Sequence, residues 1–328
     1  MAFKQDNSRG YAALRERAAI VDRAGYGRIL LTGADRRSYL QGLLTNDIEA
    51  LTPGTGCYAA MLNAQGRMLT DMRVLELGDG VLLDVPSHVT TAIRDHLDNF
   101  VFSEDVKVAD VTASGVEFGL YGPGALDVLR TAGTEGAAPS RAFDVTRVRI
   151  GGAEALLVAS GGPVAGYDVI GAAADATAIH QALIAAGAET ASDQDLETLR
   201  IERGRPRFGA DMTEETIPLE AGLEERAISR TKGCYVGQEV IVRVQDRGHG
   251  RVARKLVGLT FDAGSNIPAP GDAVQSSDRE IGRVTSATWS PALARPIALG
   301  YVHRDFTAPG THVSVAGAHA VVTALPLA

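Results

Sequence analysis

The chain has 328 residues, of which 45% are hydrophobic and 22% are charged, and its formal net charge is −8. This composition is typical of a globular protein and excludes a disordered or fibrous class. The acidic balance argues against a general nucleic-acid or anionic-membrane surface. No apolar run reaches the ~18–20 residues of a membrane span, and the first residues lack the apolar segment of a secretory signal. We therefore expect a cytoplasmic protein without a direct nucleic-acid or membrane partner.

The first part of the chain predicts an α+β layer rather than a doubly wound sheet. Hydrophobic periodicity and turn residues indicate, in order, a strand at 27–33, a helix at 34–44, strands at 56–63, 67–77 and 81–86, a helix at 87–100 and a strand at 104–112. The Gly-Asp-Gly sequence at 78–80 is a hairpin signal between two of these strands.

A second unit and a small barrel are predicted after this layer. The second unit comprises a strand at 115–122, a helix at 123–133, strands near 144–152, 154–160 and 166–171, and helices at 175–187 and 192–204. Residues 238–248 can form a short helix or an extended segment, and we favour a helix that opens at Gly237. After Gly250, short apolar runs alternate with Pro/Gly turns, which indicates a β-barrel. We expect domains at 1–112, 113–249 and 250–328, and leave open whether the first two exchange strands.

The two cysteines, Cys57 and Cys234, lie far apart in sequence, which argues against a disulfide framework. Cys57 falls in a predicted strand and is expected in the core. Cys234 lies between two glycines, close to Lys232 and to the predicted helix start at Gly237. Both features favour a reactive thiolate, although an inert cysteine in a turn is the simpler alternative. One thiol cannot hold an iron–sulfur cluster alone, and the scattered histidines predict no metal site.

Four other residues have both a structural and a ligand-binding interpretation. Glu202 lies in a predicted helix, where its carboxylate can accept two parallel N–H bonds from a flat heterocycle or form an ordinary ion pair with neighbouring arginines. Asn46 and Asp47 follow the first helix and can cap its end or face a pocket. Arg67 follows a turn and is either solvated or directed at an anionic ligand tail.

Several stretches together resemble a known family. Lys-Gly-Cys-Tyr-Val-Gly-Gln-Glu at 232–239 resembles the signature of the YgfZ-type folate-binding proteins, which belong to the superfamily of the glycine-cleavage T-protein, a tetrahydrofolate-dependent aminomethyltransferase. The wider superfamily pattern is similar to four further stretches, at 31–47, 56–74, 120–125 and 199–223. The resemblance covers nearly the whole chain.

The resemblance implies a three-lobed ring of two α+β domains and a C-terminal β-barrel around a central pocket for tetrahydrofolate or a substituted folate. It places Glu202 on the pterin and makes Cys234 the functional thiol, with Lys232 beside it. The other residues that it assigns to folate binding are Asn46, Asp47, Arg67, Tyr121, Gln238 and Glu239. It implies a role in assembling or repairing iron–sulfur clusters in client proteins, including radical enzymes that modify tRNA.

One departure from the T-protein pattern bears on catalysis. The essential aspartate of that enzyme aligns, without gaps, with Thr90 or Thr91, and threonine is not a competent base at neutral pH. Asp84 or Asp95 replaces it if the alignment slips. We therefore expect folate binding without aminomethyl transfer, and leave open whether there is turnover. A folate-dependent one-carbon transferase and a non-catalytic interaction scaffold are the alternatives.

Overall fold

The computed structural model describes residues 9–247 and 251–328. These residues form two mainly antiparallel sheets and a closed six-stranded barrel. The predicted α+β class with a C-terminal barrel is therefore confirmed. The signal-peptide prediction falls on residues before position 9, and the boundary near Gly250 falls on residues 248–250; both lie outside the described residues.

The first sheet is built from the strands predicted between residues 27 and 112. They are β2 (Tyr26–Thr32), β3 (Thr55–Leu62), β4 (Met68–Glu76), β5 (Val81–Pro86) and β6 (Lys107–Asp110). Their order is β3-β4-β5-β2-β6, and every neighbouring pair is antiparallel. The helices α2 (Arg36–Gln41) and α3 (Thr90–Asn99) connect these strands and pack with them in one core, which includes Leu40, Leu83 and Ile93.

The second sheet takes one strand from the N-terminal part of the chain. Its strands are β1 (Ala19–Asp22), β7 (Gly115–Tyr121), β8 (Val145–Ile150), β9 (Ala153–Ala159), β10 (Gly166–Ala172) and β11 (Glu189–Thr190). The order is β11-β1-β7-β10-β9-β8, with only the β1–β11 pair parallel. The prediction missed β1 and the helix before it, α1 (Arg9–Glu16), so residues 19–22 of the predicted first domain lie in the second sheet.

Five α-helices follow β7 in the described part of the chain. They are α4 (Ala125–Thr131), α5 (Ala176–Ala185), α6 (Asp193–Glu202), α7 (Glu224–Ala227) and α8 (Gln238–Val242). Helices α4 and α5 connect strands of the second sheet, and α6, α7 and α8 lie between that sheet and the barrel in the chain. Helix α6 begins with a capping box, in which the Ser192 side chain accepts from the Asp195 N–H and the Asp195 carboxylate accepts from the Ser192 N–H. Helix α8 begins at Gln238 with Gly237 as its N-cap, close to the favoured prediction, and Gly237 adopts a left-handed φ of 81°.

The barrel is formed by six antiparallel strands. They are β12 (Arg254–Phe261), β13 (Ala273–Ser276), β14 (Arg279–Ser290), β15 (Arg295–His303), β16 (His312–Val315) and β17 (Ala318–Thr323). The closure order is β12-β15-β14-β13-β16-β17. A full ring of strands leaves no exposed edge.

The two sheets contact each other through one face each. Side chains alternate along a strand, so Met72 and Val74 of β4 join the core with the helices, whereas Leu75 packs against Val158 and Ile170 of the second sheet. Asp71 and Arg73 share the face of Leu75 by the same alternation. Charged side chains are therefore placed between the two sheets.

Candidate functional site

A cavity opens between the two sheets, next to the segment that follows α6. Its empty volume, counted out to its open mouth, is about 860 Å³. Its acidic lining residues are Asp71, Asp84 and Asp168, and its basic ones are Arg23, Arg73, Arg200, Arg205, Arg207 and Arg226. Its aromatic lining residues are Tyr26, Tyr58, Tyr121 and Phe143. A cavity with acids, arginines and aromatic rings suits a flat polar ligand with an anionic part.

Asp71 supplies one carboxylate of the cavity. Its Oδ2 accepts a hydrogen bond of 2.6 Å from the Tyr58 hydroxyl. Burial raises the pKa of Asp71, and the hydrogen bond from Tyr58 partly opposes that rise. A carboxyl group with a raised pKa that lines a cavity holds a proton more readily than a solvated aspartate and can exchange it with a bound ligand.

Arg73 holds three carboxylates together at the base of the cavity. Its Nη2 lies 2.6 Å from the Glu117 carboxylate, its Nε donates to Asp84 at 2.6 Å, and its Nη1 donates to Asp168. Glu117 and Asp168 belong to the second sheet, so this cluster joins the two sheets. Arg23 adds a second cation, at 3.5 Å from Glu117 and 3.7 Å from Asp168.

Asp84 is the acid of this cluster that is only partly neutralised. Its side chain is fully buried, and its Oδ1 has no hydrogen-bond partner within the described residues. Burial raises the pKa of Asp84 to about 7, although Arg73 opposes the rise. Arg73 is shared with Glu117 and Asp168, so it cannot fully compensate the desolvation of Asp84.

Aromatic rings form one wall of the cavity. The rings of Tyr58 and Phe143 are stacked with centroids 6.3 Å apart. The Arg226 guanidinium lies over the Tyr58 ring, 5.0 Å from its centroid. A flat heterocycle can pack against such a wall while its polar edge reaches the carboxylates.

Tyr121 is the one predicted folate-binding residue that lines this cavity. It lies at the end of β7, and its hydroxyl donates to Asp168 Oδ1. Burial raises the pKa of Tyr121 well above its ordinary value. The tyrosine thus belongs to the same cluster as Arg73 and remains a neutral donor.

Glu202 has a different place from the one expected. It is 1% exposed and does not line the cavity. Its carboxylate accepts hydrogen bonds from Tyr11 at 2.8 Å and from Ser290 at 2.5 Å, and Arg15 lies 3.9 Å away. These contacts join α1, α6 and the barrel and give the Glu202 carboxylate a structural role. The bidentate contact of Glu202 with a ligand stays a prediction.

Asn46 and Asp47 make local hydrogen bonds in the segment between α2 and β3, including a turn closed by the Asp47 side chain. Asn46 Nδ2 donates to the Tyr58 carbonyl at 2.9 Å, and its Oδ1 accepts from the Asp47 N–H. Asp47 Oδ1 accepts from Gln41 Nε2 at 3.0 Å and from the Ala50 N–H at 3.3 Å. Neither residue lines the cavity.

Arg67 also lies away from the cavity. Its side chain is exposed and borders a separate depression between the first sheet and the barrel. Arg67 precedes β4 and borders this depression rather than the cavity, and its contact with a ligand tail stays a prediction.

The cysteine motif lies outside the cavity as well. Cys234 is exposed, and neither it nor the neighbouring Gln238 and Glu239 lines the cavity. Lys232 is buried, and its Nζ donates to the carbonyls of Gln41 and Leu44 at 2.5 Å each. Lys232 thus fixes the motif to the end of α2, and burial lowers its pKa to about 8.

The threonines that align with the T-protein aspartate are not pocket residues. Thr90 is buried, and its hydroxyl donates to the Pro86 carbonyl at 3.2 Å. Neither Thr90 nor Thr91 lines the cavity. Of the two aspartates offered as replacements, Asp84 lines the cavity and Asp95 is exposed on α3. Strand alternation also brings Asp71 into the cavity, so its lining holds carboxyl groups although Thr90 and Thr91 lie elsewhere.

The described ranges contain neither a cluster of three or more metal ligands nor a helix that could span a membrane. No group of three or more His, Cys, Asp or Glu side chains in residues 9–247 and 251–328 is placed to hold a metal ion. None of the helices in the same ranges has the length and apolar character needed to cross a membrane.

Comparison with known families matches the whole architecture. Residues 3–232 match the GCVT N-terminal domain, and residues 254–327 match the glycine cleavage T-protein C-terminal barrel domain. The chain belongs to the glycine cleavage T-protein family. The matched ranges cover both sheets and the barrel, so this T-protein relative has the full fold of the family.

Individual relatives support this assignment. An aminomethyltransferase from Geobacillus kaustophilus is 31% identical over 320 residues, which is 93% of this chain and 84% of the relative. An aminomethyltransferase from Rubrobacter xylanophilus is 30% identical over 89% of this chain and 78% of the relative. The crystal structure of aminomethyltransferase T from Bartonella henselae superposes with a TM-score of 0.88 at 22% identity, over 97% of this chain and 88% of that one. The narrower resemblance of residues 232–239 to YgfZ-type proteins stays a prediction.

Proposed function

We propose that the cavity between the two sheets binds tetrahydrofolate or a substituted folate, and that the protein transfers a one-carbon group of the aminomethyl type to or from it. The observation that carries this proposal is the half-buried carboxyl of Asp71, which lines the cavity and has a raised pKa. A folate that receives a one-carbon unit must exchange a proton at a ring nitrogen, which Asp71 can accept or return.

The lining of the cavity fits such a ligand. The pterin is flat and polar at its edge, so the wall of Tyr58 and Phe143 offers stacking and the Asp71 carboxylate offers a hydrogen-bond acceptor. Arginines at the mouth offer charge for the anionic glutamyl tail. The named relatives are aminomethyltransferases, which supports the same class of reaction.

The test combines binding and turnover. Anaerobic calorimetry with tetrahydrofolate is run on the wild type, Asp71→Asn and Asp95→Asn, a control that removes an exposed carboxyl. The same proteins are assayed for 5,10-methylene-tetrahydrofolate formation from an aminomethyl donor. We expect all three proteins to bind and Asp71→Asn to lose about 10²–10⁴ in rate, the usual contribution of a general acid or base. Wild-type protein that binds no folate, or Asp71→Asn with the wild-type rate, refutes the proposal.

A second function is favoured by the position of Cys234. The thiol is exposed outside the cavity, in a segment held by Lys232, so a macromolecular partner can reach it while the cavity is occupied. This arrangement supports a folate-binding factor that assists the assembly or repair of iron–sulfur clusters in client enzymes, including tRNA-modifying radical enzymes. An accessible thiol can serve as a transient ligand or acceptor.

Cys234→Ser separates the two functions. Under the iron–sulfur hypothesis, cells that carry this variant lose activity of cluster-dependent enzymes while the purified protein binds tetrahydrofolate normally. Under the transferase hypothesis, the variant retains methylene-tetrahydrofolate formation and cluster-dependent enzymes are unaffected. A Cys57→Ser variant is the control, because burial raises the pKa of Cys57 to about 12 and leaves it as a neutral thiol.

A further inference from the structure

Two histidines meet on the outer face of the barrel, on the hairpin formed by β16 and β17. Alternation along these strands turns Val313 and Ala320 into the barrel and leaves His312 and His319 on the exposed face. The register pairs Ser314 with His319, so His312 and His319 are diagonal neighbours across the hairpin. Long side chains reach each other over that separation. Strand pairing therefore brings together two of the histidines that are scattered along the sequence.

The two imidazoles face each other through one nitrogen each. His312 Nδ1 lies 2.9 Å from His319 Nε2, and the ring centroids are 5.1 Å apart. A hydrogen bond between two neutral imidazoles joins an N–H of one ring to the lone pair of the other. A metal ion in place of that proton would receive a lone pair from both rings.

Asp262 lies on the far side of the His319 ring. It follows β12, and its Oδ2 is 3.7 Å from His319 Nδ1. A carboxylate at this position favours the tautomer that carries its proton on Nδ1, which leaves the lone pair on Nε2, the nitrogen that faces His312. Histidines that bind a metal through one nitrogen commonly have a carboxylate near the other. The three side chains thus have the arrangement of two ligands and one outer partner.

We propose that His312 and His319 bind a divalent copper or nickel ion on the outer face of the barrel. Imidazole nitrogens bind such ions at about 2.0–2.1 Å, so two nitrogens 2.9 Å apart subtend an angle of about 90° at one ion. Neighbouring ligands of a square-planar ion are about 90° apart, and square-planar or tetragonal sites with nitrogen and oxygen ligands are typical of Cu²⁺ and Ni²⁺. The χ2 torsion of histidine is soft, so small ring rotations direct both lone pairs at the ion. The remaining positions are open to water, because the pair supplies only two ligands.

The test is calorimetric titration of the purified protein with nickel chloride and, separately, with copper sulfate. The proteins are the wild type, His312→Gln, His319→Gln, Asp262→Asn and His303→Gln. His303 is the matched control, because it is a barrel histidine with its own neighbouring carboxylate, Asp305 at 3.4 Å, and no second imidazole contacts it within the described residues.

We expect the wild type to bind one ion at this pair, Cu²⁺ more tightly than Ni²⁺. His312→Gln and His319→Gln should each lose at least about 10-fold in affinity, and Asp262→Asn about 10-fold, since an outer partner contributes about 10- to 100-fold. His303→Gln should keep the wild-type affinity. The electron paramagnetic resonance spectrum of the Cu²⁺ form should be tetragonal and show coupling to two nitrogens, with coupling to one in either of the first two variants.

The exposed thiol of Cys234 is the main competing ligand, because thiolates bind the same ions. Cys234→Ser should therefore keep the wild-type affinity for Ni²⁺. An affinity that is unchanged in His312→Gln or His319→Gln, or that falls equally in His303→Gln or in Cys234→Ser, overturns the proposal. A wild-type Cu²⁺ spectrum with a single nitrogen overturns it as well. Neither histidine of the pair lines the cavity, so this outcome is independent of tetrahydrofolate binding.

Discussion

The buried carboxyl of Asp84 predicts an unusual dependence of stability on pH. Its pKa lies at about 7 in the folded protein against an ordinary value of 3.8. The folded state therefore keeps a proton that the unfolded state releases near pH ~4. Between these values the folded state binds more protons, so each rise in pH lowers the free energy of unfolding. The contribution is fully present below pH ~4 and is lost as the pH rises through about 7.

The size of the pH effect on the free energy of unfolding follows from the pKa shift of Asp84. A rise of about 3 pKa units corresponds to about 4 kcal/mol over the whole range, and to about 3 kcal/mol between pH 5 and pH 8. Asp84→Asn removes the ionisation and leaves Arg73 with Glu117 and Asp168 as partners. The loss of the Arg73 contact shifts the stability of the variant by a constant amount, while the dependence on pH disappears.

The assay is equilibrium unfolding in urea at pH 5, 6, 7 and 8 for the wild type, Asp84→Asn and Asp79→Asn. Asp79 lies in the exposed turn between β4 and β5, with 74% of its side chain accessible, and it controls for the removal of a carboxyl. We expect the difference in unfolding free energy between Asp84→Asn and the wild type to move by about 3 kcal/mol in favour of the variant from pH 5 to pH 8.

A difference that stays constant within about 1 kcal/mol across this range would refute the reasoning, because Asp84 would then be ionised throughout. Carbon-13 spectra of the aspartate carboxyl groups give an independent check. The resonance that is absent from Asp84→Asn is expected to titrate near pH 7 in the wild type.

Two further predictions concern residues outside the cavity. Gly237→Ala should lower the free energy of unfolding by more than about 1 kcal/mol, because φ is 81° and an added Cβ would lie 2.5 Å from the Asn63 carbonyl oxygen. Gly233→Ala, with open space around it, should change the free energy of unfolding by less than about 0.5 kcal/mol. Similar melting temperatures for the two variants would contradict this prediction. Glu202→Gln should destabilise the protein by about 1–3 kcal/mol without weakening tetrahydrofolate binding, since the Glu202 carboxylate is a buried acceptor outside the cavity. A loss of tetrahydrofolate affinity at unchanged stability would instead support the predicted contact of Glu202 with the ligand.

Part of the candidate site was accessible to sequence reasoning but was missed. The Gly-Asp-Gly turn predicts a hairpin, and its observed register pairs Arg73 with Asp84. Period-two alternation along β4 then gives Asp71 the same face as Arg73. Charged residues in strands whose sequence pattern predicts burial indicate a cluster of paired or functional side chains. The prediction instead followed motif resemblance to Glu202, whose partners Tyr11 and Ser290 lie far away in sequence.

The sequence alone determined the α+β class, the C-terminal barrel and the positions of most strands along the chain, because these depend on local periodicity and turn residues. Only the tertiary structure shows that β1 joins the second sheet, since the sequence of a short apolar strand does not specify which strand it pairs with. It also decided that Asp71 and Asp84 meet Asp168 and Tyr121 in one cavity while Cys234 remains outside. Which side chains come together depends on which faces of the two sheets pack against each other. Long-range contacts, rather than any local sequence pattern, determine that packing.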